Sequence, residues 1–221
     1  MYHSIGAEIS NAPNDIYRVS RHRFKSHLDF VGSNQSNPEF AVHSFITQGS
    51  TGLSFTFDDG YRDNLEIAAP LLLEYGFSFH VFINPAFVLS GDHKYLTIQS
   101  LGDLSKYPGA SIGAHGYSHR KLTECTPTEL AYELDASKQW IENVIGREVT
   151  TMAYPHGAVN DEVRQATAKA GYTIAASSKF GIVTSSSNPL ALERTDIWST
   201  DSVRSFRSKL RGNWDWMSNL T

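Results

Sequence analysis

Short runs of apolar and aromatic residues alternate with segments of helical periodicity along most of the chain. We expect a first strand to end within residues 2–6 and further strands over residues 52–59, 78–85, 110–116, 149–157, 172–178 and 191–199. Apolar spacing predicts helices over residues 23–31, 64–77, 126–146, 161–171 and 202–212. This alternation predicts a parallel α/β fold of about six or seven strand–helix units, fewer than the eight of a complete (β/α) barrel.

Polar side chains follow several of these predicted strands at their carboxyl ends. They are Asp58 and Asp59, His115, residues 154–157 and residues 194–198. In barrels and in open parallel sheets alike, the carboxyl ends of the strands form the site. The sequence therefore predicts an enzyme with its active site at that end.

The sequence DDG places two carboxylates, Asp58 and Asp59, side by side at the end of a predicted strand. Neighbouring strand residues point to opposite faces, but a turn at Gly60 can bring both carboxylates to one cavity. Two carboxylates in an apolar cavity both stay ionised only when a cation joins them. A simple Asx-type turn that caps the next helix is the alternative.

His115 and His119 lie four residues apart in GAHGYSHRKL. This spacing places two imidazoles on one side of a helical turn or a tight loop and suits a single metal ion. With a carboxylate from another strand end they complete a set of two histidines and one carboxylate, which leaves positions open for water and substrate. Zinc is the most ordinary occupant, and other first-row divalent ions fit the same ligands. A surface pair of histidines is the alternative.

The motifs FTFDDGYRDN, HGYSHRKL and YPHG, in this order and with these separations, resemble those of the polysaccharide deacetylases of the carbohydrate esterase family 4 type. The resemblance extends over most of the chain, from MYHSIG to LRGNWDW. It implies a distorted, incomplete (β/α) barrel of about seven strands, with residues 1–221 as one catalytic domain. It also implies metal-dependent removal of acetyl groups, usually from N-acetylated sugars.

The resemblance also implies roles for the motif residues. In that family the first aspartate of the motif is the general base, which corresponds to Asp58. The second aspartate binds the metal with the two motif histidines, which correspond to Asp59, His115 and His119. The metal polarises the amide carbonyl and the water, and the base takes a proton from that water. A cation would thus neutralise the charge of Asp59, while Asp58 accepts and releases a proton.

The loop AYPHG at residues 153–157 resembles the Pro-Tyr-Gly loop of the family, in which the residue after proline offers its main-chain N–H to the oxyanion. That position is His156 here, and the role survives the substitution because it uses the main chain. Tyr154, Pro155 and Gly157 are further substrate-binding candidates. A plain turn is the alternative.

One position departs from the usual pattern of the family. An arginine often stands three residues before the proline of this loop and orients the base, but this chain has Met152 there. Arg194, near another predicted strand end, could supply the guanidinium and bind Asp58 through two hydrogen bonds. An ion pair of Arg194 with Glu193 or Asp196 is the alternative.

The proton donor and the hydrophobic wall of the family site have more than one possible equivalent in this chain. The family's usual donor is a histidine in a Leu-His pair near the C-terminus, but no histidine follows His156. His3 and His156 are therefore the candidates for the general acid, with His3 preferred, while His80 could face the barrel interior or be a core residue. Trp198 would stack on the acetyl methyl or the sugar face, with core burial as the alternative.

Composition excludes several classes of protein. A net charge of -4 and a pI near 6.1 provide no basic patch for nucleic acid, and no apolar run approaches the roughly 20 residues of a membrane helix. The single cysteine, Cys125, excludes an internal disulfide. The first residues show no signal peptide, so we expect a cytoplasmic protein. Trp214 and Trp216 near the end of the sequence are expected either to cover the open side of the barrel or to form a surface that binds a partner.

We therefore expect a hydrolase that uses a divalent metal to remove the N-acetyl group from an amino sugar and releases acetate. Its substrate would be an N-acetylated sugar or oligosaccharide, a glycan or glycan precursor in surface polysaccharide biosynthesis. One alternative is the same metal site acting on another non-peptide C–N bond, such as a cyclic amide or ureide. Another is a catalytically inactive carbohydrate-binding module of the same fold.

Overall fold

A parallel sheet forms the centre of the protein in this computed structural model, which describes residues 1–6, 15–43 and 52–219. The strands are β1 (Ser4–Gly6), β2 (Arg18–Ser20), β3 (Phe55–Phe57), β4 (Phe79–Ile83), β5 (Ala110–Ala114), β6 (Thr151–Ala153) and β7 (Ile174–Ala176). The helices are α1 (Arg21–Ser33), α2 (Ala69–Glu74), α3 (Pro85–Leu89), α4 (Ile98–Ser105), α5 (Pro127–Ile145), α6 (Asp161–Lys169) and α7 (Val203–Leu210). Strands β3 to β7 form one five-stranded sheet in sequence order, and β1 pairs with β2. Since all these pairings are parallel, the carboxyl ends of the strands within each sheet lie on one side.

Backbone hydrogen bonds extend the five-stranded sheet at its β3 edge. The Tyr2 N–H donates to the Thr56 carbonyl at 2.7 Å, and the Asp58 N–H donates to the Tyr2 carbonyl at 3.0 Å. The residues just before β1 therefore run parallel to β3 and hold the first motif aspartate by its main chain.

At the opposite edge an irregular segment continues the sheet. Leu192 forms an isolated parallel bridge with Ala176 at the end of β7. Further along the same segment, the Ile197 N–H donates to the Met1 carbonyl at 3.0 Å. The segment 192–197 thus links the β7 edge to the residues beside β3, which curls the sheet into the distorted, incomplete barrel predicted from the sequence.

Aromatic side chains pack the core beside β3. The Tyr2 ring lies edge-on to Phe24 at 5.1 Å and stacks on Phe57 at 5.7 Å, and Phe55 stacks on Phe77 at 5.7 Å. All five residues are buried. Each fully buried side chain of this kind contributes about 1.5–3 kcal/mol. This cluster therefore fixes the position of β3 and of the motif that follows it.

The fold class is confirmed, but the predicted strand at 191–199 is wrong. After the bridge at Leu192 the chain leaves β7, because the Arg194 N–H donates instead to the Lys179 carbonyl at 3.0 Å. Two short helices, α3 and α4, lie where no helix was expected, and both begin at side-chain caps, Asn84 and Thr97. None of the helices in the described ranges has the length and apolar character required to cross a membrane.

The helix predicted at 64–77 begins with a wider π turn over Asn64–Ala68 before it continues as α2. Pro70, which has no N–H, is the second residue after this turn, so a regular α-helix would lack one hydrogen bond here. The Asn64 side chain donates to the His3 carbonyl at 2.8 Å. The irregular turn therefore also anchors the backbone at His3.

His27 on α1 is a buried histidine with a defined tautomer. Its Nε2 lies 3.0 Å from the Asp201 carbonyl oxygen, which only accepts, so Nε2 carries the proton. Its Nδ1 then accepts from the Tyr2 hydroxyl at 3.0 Å, and the ring stacks on Phe206 at 4.2 Å. Burial lowers the pKa of His27 to about 4. The ring is therefore neutral at pH 7.

We expect His27 to reduce stability in acid. Because the pKa of His27 falls from 6.5 in the unfolded chain to about 4 in the fold, the unfolded chain takes up the proton first as the pH falls. Stability is then lost progressively from pH 6.5 down to about 4, by about 3 kcal/mol from this group. Urea unfolding across this range should show a weaker pH dependence of the unfolding free energy in His27→Gln than in wild type.

His22→Gln is the matched control, since His22 is exposed on the same helix. It should keep the pH dependence of the wild type. An unfolding free energy of His27→Gln that changes with pH as steeply as in wild type would contradict the assignment.

Candidate metal centre and active site

The DDG motif forms a tight turn directly after β3. Asp59 and Gly60 both have left-handed backbones, with φ of 73° and 72°. The turn brings both carboxylates toward His115, whose Nε2 lies 4.0 Å from Asp58 Oδ2 and 3.5 Å from Asp59 Oδ1. Glycine suits position 60, because a Cβ there would lie 3.1 Å from Ile83 Cδ1 in a conformation that side chains disfavour. The two carboxylates therefore share one buried environment.

The two histidines of the second motif converge on the same carboxylate. His115 directly follows β5, and its Nδ1 lies 2.8 Å from the Ala153 carbonyl oxygen. His119 lies in the next loop, and its Nε2 is 3.2 Å from Asp59 Oδ1. The two imidazole rings are 5.0 Å apart, centroid to centroid. The loop therefore places both rings beside Asp59.

The ligand atoms of Asp59, His115 and His119 fit a divalent metal ion. All three lie within 4.8 Å of one another. The carboxylate-to-imidazole separations of 3.5 and 3.2 Å are close to the roughly 3.4 Å expected between tetrahedral ligands with bonds of about 2.1 Å. The Ala153 carbonyl fixes the proton of neutral His115 on Nδ1, so a lone pair on Nε2 faces Asp59 Oδ1. That oxygen is buried without a hydrogen bond from any described residue, and a cation between the two atoms would satisfy both.

Backbone strain is concentrated at this site. In the described ranges, the non-glycine residues with positive φ are Asp59, His119 and His156. A left-handed conformation costs a non-glycine residue about 1–2 kcal/mol. Such strain persists where the surrounding structure fixes the conformation, and it is common at functional sites.

Arg194 forms a buried, bidentate ion pair with Asp58. Its Nη1 donates to Asp58 Oδ1 and its Nη2 to Asp58 Oδ2, both at 2.8 Å. Its Nε donates to the Ser177 carbonyl at 2.9 Å. Within the residues that the structure describes, Arg194 forms no ion pair with Glu193 or Asp196. Of the two pairings considered from the sequence, the structure therefore has the one between Arg194 and Asp58.

Neighbouring charges offset the cost of burying the two carboxylates. Burial raises the pKa of Asp58, but the charge and hydrogen bonds of Arg194 are the main effects that outweigh it and hold that pKa well below its usual range. Burial also raises the pKa of Asp59, and the contacts with His119 and His115 lower it by more. Both groups are therefore ionised at neutral pH. Burial lowers the pKa of His115, which favours the neutral ring that binds metals.

His156 lies beside His119, in the loop of the third motif. Its φ of 58° falls within a single 3-10 turn over Pro155–Gly157. Its exposed ring is 4.6 Å from the His119 ring, and its Nε2 lies 3.2 Å from the His119 carbonyl oxygen. The third motif therefore packs directly against the second.

The other residues of this loop support its shape. The Tyr154 side chain is buried, and its hydroxyl donates to the Leu190 carbonyl at 2.8 Å. Pro155 is buried as well. A Cβ at Gly157 would lie 2.6 Å from the Ser178 nitrogen, so the loop packs closely against the chain after β7. The side chain of Tyr154 thus faces the core, and the His156 side chain is the part of this loop that contacts His119.

His3 lies near the carboxylates of the site. A positive charge on His3 would lower the pKa values of Asp58, Asp59 and Asp196. Its Nδ1 is buried and has no hydrogen-bond partner among the described residues. Its ring packs against Tyr17 with centroids 4.5 Å apart. By contrast, His80 is buried in the sheet with its Nε2 2.8 Å from the Thr151 hydroxyl, as expected of a core histidine.

Trp198 is half-buried in a cluster around a lysine. The Lys209 ammonium lies 3.6 Å from the centre of the Trp198 ring and pairs with Asp201 at 2.7 Å. Trp214 lies edge-on to Trp198 at 6.0 Å, whereas Trp216 is 61% exposed. One ring face of Trp198 is therefore occupied by Lys209, and Trp214 belongs to the same cluster.

Two buried polar residues that the sequence analysis did not identify hold the loop between the metal-ligand candidates. Asn84, after β4, donates to the carbonyls of His115 at 3.1 Å and Gly116 at 3.3 Å. Glu133, on α5, accepts from backbone N–H groups of the same loop. The available signal for Glu133 was its place on the buried helical stripe of Leu130, Leu134, Ser137 and Ile141.

Comparisons with known proteins agree with this architecture. The chain is 28% identical over 203 residues to YxkH of Bacillus subtilis strain 168, a protein named for the polysaccharide deacetylases, and the match covers 89% of this chain and 70% of that protein. The deacetylase PplD of Streptococcus pyogenes, solved in complex with acetate, superposes with a TM-score of 0.78 at 22% identity over 95% of this chain and 96% of that one. A polysaccharide deacetylase from Bacillus cereus gives a TM-score of 0.82 at 24% identity, over 95% and 67% of the two chains. These structures establish the shared fold.

The family model for polysaccharide deacetylase matches residues 46–175, which is more than half of the chain. The matched region contains Asp58, Asp59, His115 and His119. The chain therefore belongs to the polysaccharide deacetylase family.

Proposed function

We propose that this protein is a divalent-metal N-deacetylase that removes the acetyl group from an amino sugar of a glycan or glycan precursor. The observation that carries the proposal is the convergence of two elements in one buried site. Asp58 is clamped by Arg194, and it lies beside the ligand set of Asp59, His115 and His119. A carboxylate base next to such a ligand set is suited to activating water for attack on an amide.

Asp59, His115 and His119 would hold the ion, which is zinc or another first-row divalent cation. When bound, such an ion supplies positive charge that polarises the amide carbonyl and makes a nearby water more acidic. Membership of a family whose deacetylases are generally metal-dependent supports this assignment.

Asp58 would accept the proton that water loses as its oxygen adds to the amide carbon. Each Asp58 oxygen accepts one hydrogen bond from Arg194, which fixes the carboxylate and leaves further lone pairs for the proton. The main-chain N–H of His156 would donate to the oxyanion. Tyr154, Pro155 and Gly157 would fix the shape of the loop that presents it.

The amine nitrogen needs a proton when the C–N bond breaks, and we assign its donor to His3. The support is the His3 ring nitrogen that lies buried near the carboxylates without a hydrogen bond from the described residues. The His156 ring is exposed, and its Nε2 already contacts the His119 carbonyl. Trp198 would line the acetyl or sugar side of the site.

The proposed products are acetate and a free amino sugar. PplD binds acetate in its solved structure, and acetate is the product that this chemistry would release here. We therefore propose an N-acetylated sugar or oligosaccharide as the substrate, in surface polysaccharide biosynthesis, with residues 1–221 acting as one catalytic domain.

Metal content is the first test of the proposed function. After incubation with zinc, the wild type should hold about one ion per chain by elemental analysis. His119→Ala should hold far less, because it lacks one of three protein ligands. His93→Ala, which removes an exposed histidine away from the ligand set, should keep the wild-type content.

The zinc-loaded wild type should then release acetate from N-acetylated oligosaccharides. A wild type without bound metal would contradict the proposal. Turnover of cyclic amides or ureides without acetate release would favour the broader amidohydrolase alternative. Sugar binding without any turnover would favour the binding module.

Arg194→Lys tests the orientation of the base. Lysine keeps the charge but cannot donate two parallel hydrogen bonds to Asp58. We expect kcat/KM for acetate release to fall by about tenfold to a hundredfold while the zinc content stays unchanged. Arg207→Lys, at an exposed position on α7, is the matched control and should keep wild-type kinetics. Wild-type kinetics in Arg194→Lys would rule out the orienting role.

Substrates with different leaving groups test the proton donor. An amide needs its nitrogen protonated, whereas an activated aryl acetate leaves as a stable anion. His3→Gln should therefore lose about 100-fold or more in kcat for the sugar amide and keep most of its activity on the aryl acetate. His156→Ala should change both activities only modestly, since its proposed role uses the main chain. The reverse pattern would assign the general acid to His156.

A further inference from the structure

Glu133 is a buried carboxylate outside the proposed ligand set. It lies on the inner face of α5 and is 3% exposed. Across the described ranges, no lysine, arginine or histidine pairs with it. Its charge is therefore satisfied by something other than a neighbouring cation.

The partners of Glu133 are main-chain groups in the loop between the two histidines. Its Oε2 accepts from the Tyr117 N–H at 2.8 Å and from the Ser118 N–H at 2.9 Å. Its Oε1 accepts from the Ser118 hydroxyl. Consecutive N–H groups that point to one place form an anion-binding concavity, and here the anion is a side chain of the protein.

This loop needs external support because its backbone is strained. His119 has a left-handed backbone with φ of 62°, which is unfavourable for a non-glycine residue. Gly116, with φ of 63°, adopts the same region without that cost. A Cβ at Gly116 would lie 3.3 Å from Glu133 Oε2 and 3.0 Å from Pro155 Cγ, so the loop is tightly enclosed. The Asn84 side chain donates to the main-chain carbonyls at the start of the loop. Glu133 accepts from the N–H of Ser118, the residue directly before His119.

We propose that Glu133 is a positioning residue that holds the His115–His119 loop in its ligating conformation before an ion binds. This inference rests on the proposed function, because it assumes that His119 is a metal ligand. Without Glu133, the two N–H groups would lose their acceptor and the strained loop would relax. Ordering the loop would then oppose metal binding, so Glu133 sets the metal affinity without touching the ion.

The test is the zinc dissociation constant of the metal-free protein, measured by competition with a chromophoric chelator. Glu133→Ala should weaken zinc binding by about tenfold to a hundredfold. Glu133→Gln keeps one carbonyl acceptor and should recover most of the affinity. At saturating zinc, the kcat of both variants should return close to that of the wild type.

Glu142→Ala is the matched control. Glu142 lies on the same helix and also accepts from a loop N–H, that of Val149 at 2.9 Å, but not from the histidine loop. Its variant should lose stability yet bind zinc within about threefold of the wild type. If circular dichroism shows that Glu133→Ala is unfolded, the zinc dissociation constant is measured on Glu133→Gln instead. We expect that constant to be several times larger than in the wild type.

Two results would overturn the inference while leaving the proposed function intact. One is wild-type zinc affinity in the folded Glu133 variants. The other is an equal loss of affinity in Glu142→Ala, which would show that general destabilisation is the cause. A wild type that binds no zinc would overturn the proposed function, and this inference with it.

Discussion

The buried ion pair between Arg194 and Asp58 connects distant parts of the fold at the active site. The guanidinium reaches Asp58 after β3, the Ser177 carbonyl after β7 and the face of Phe82 on β4, 5.4 Å from its ring centre. Each charge would cost several kcal/mol if it were buried alone. The two therefore depend on each other, and both depend on the segment that carries Arg194 across the open edge of the sheet.

The surrounding structure also compensates for the strain beside this pair. Asp59, His119 and His156 hold left-handed backbones, and hydrogen bonds fix the segments around them. The Ala153 carbonyl orients His115, and Asn84 binds the loop that follows. These fixed segments hold Asp59 Oδ1 3.2 Å from His119 Nε2 although that oxygen accepts no hydrogen bond from the described residues. The oxygen is therefore available to a ligand.

Residue types and spacing predict the proposed metal ligands of this site, but they do not predict the residues that support those ligands. DDG at a strand end and two histidines four residues apart are local signals, so the proposed ligands could be named from the sequence. The pairing of Arg194 could be named only as one of two alternatives, because it depends on where the chain leaves β7. Glu133 could not be identified, since helical periodicity marks the buried face of a helix but not the loop that packs against it.

Arg194 lies 136 residues after its partner Asp58, and this separation has a consequence for how the protein folds. The last of the five strands ends at Ala176, so all of them precede Arg194 in the sequence. A chain still lacking its last fifth would hold the sheet sequence but leave the Asp58 carboxylate without its counter-charge. Burial of Asp58 therefore becomes favourable only once a very large loop has closed, and loops of this length make such contacts slow to form. The same contact joins the segment after β3 to the segment after β7, so completion of the active site requires closure of this long loop.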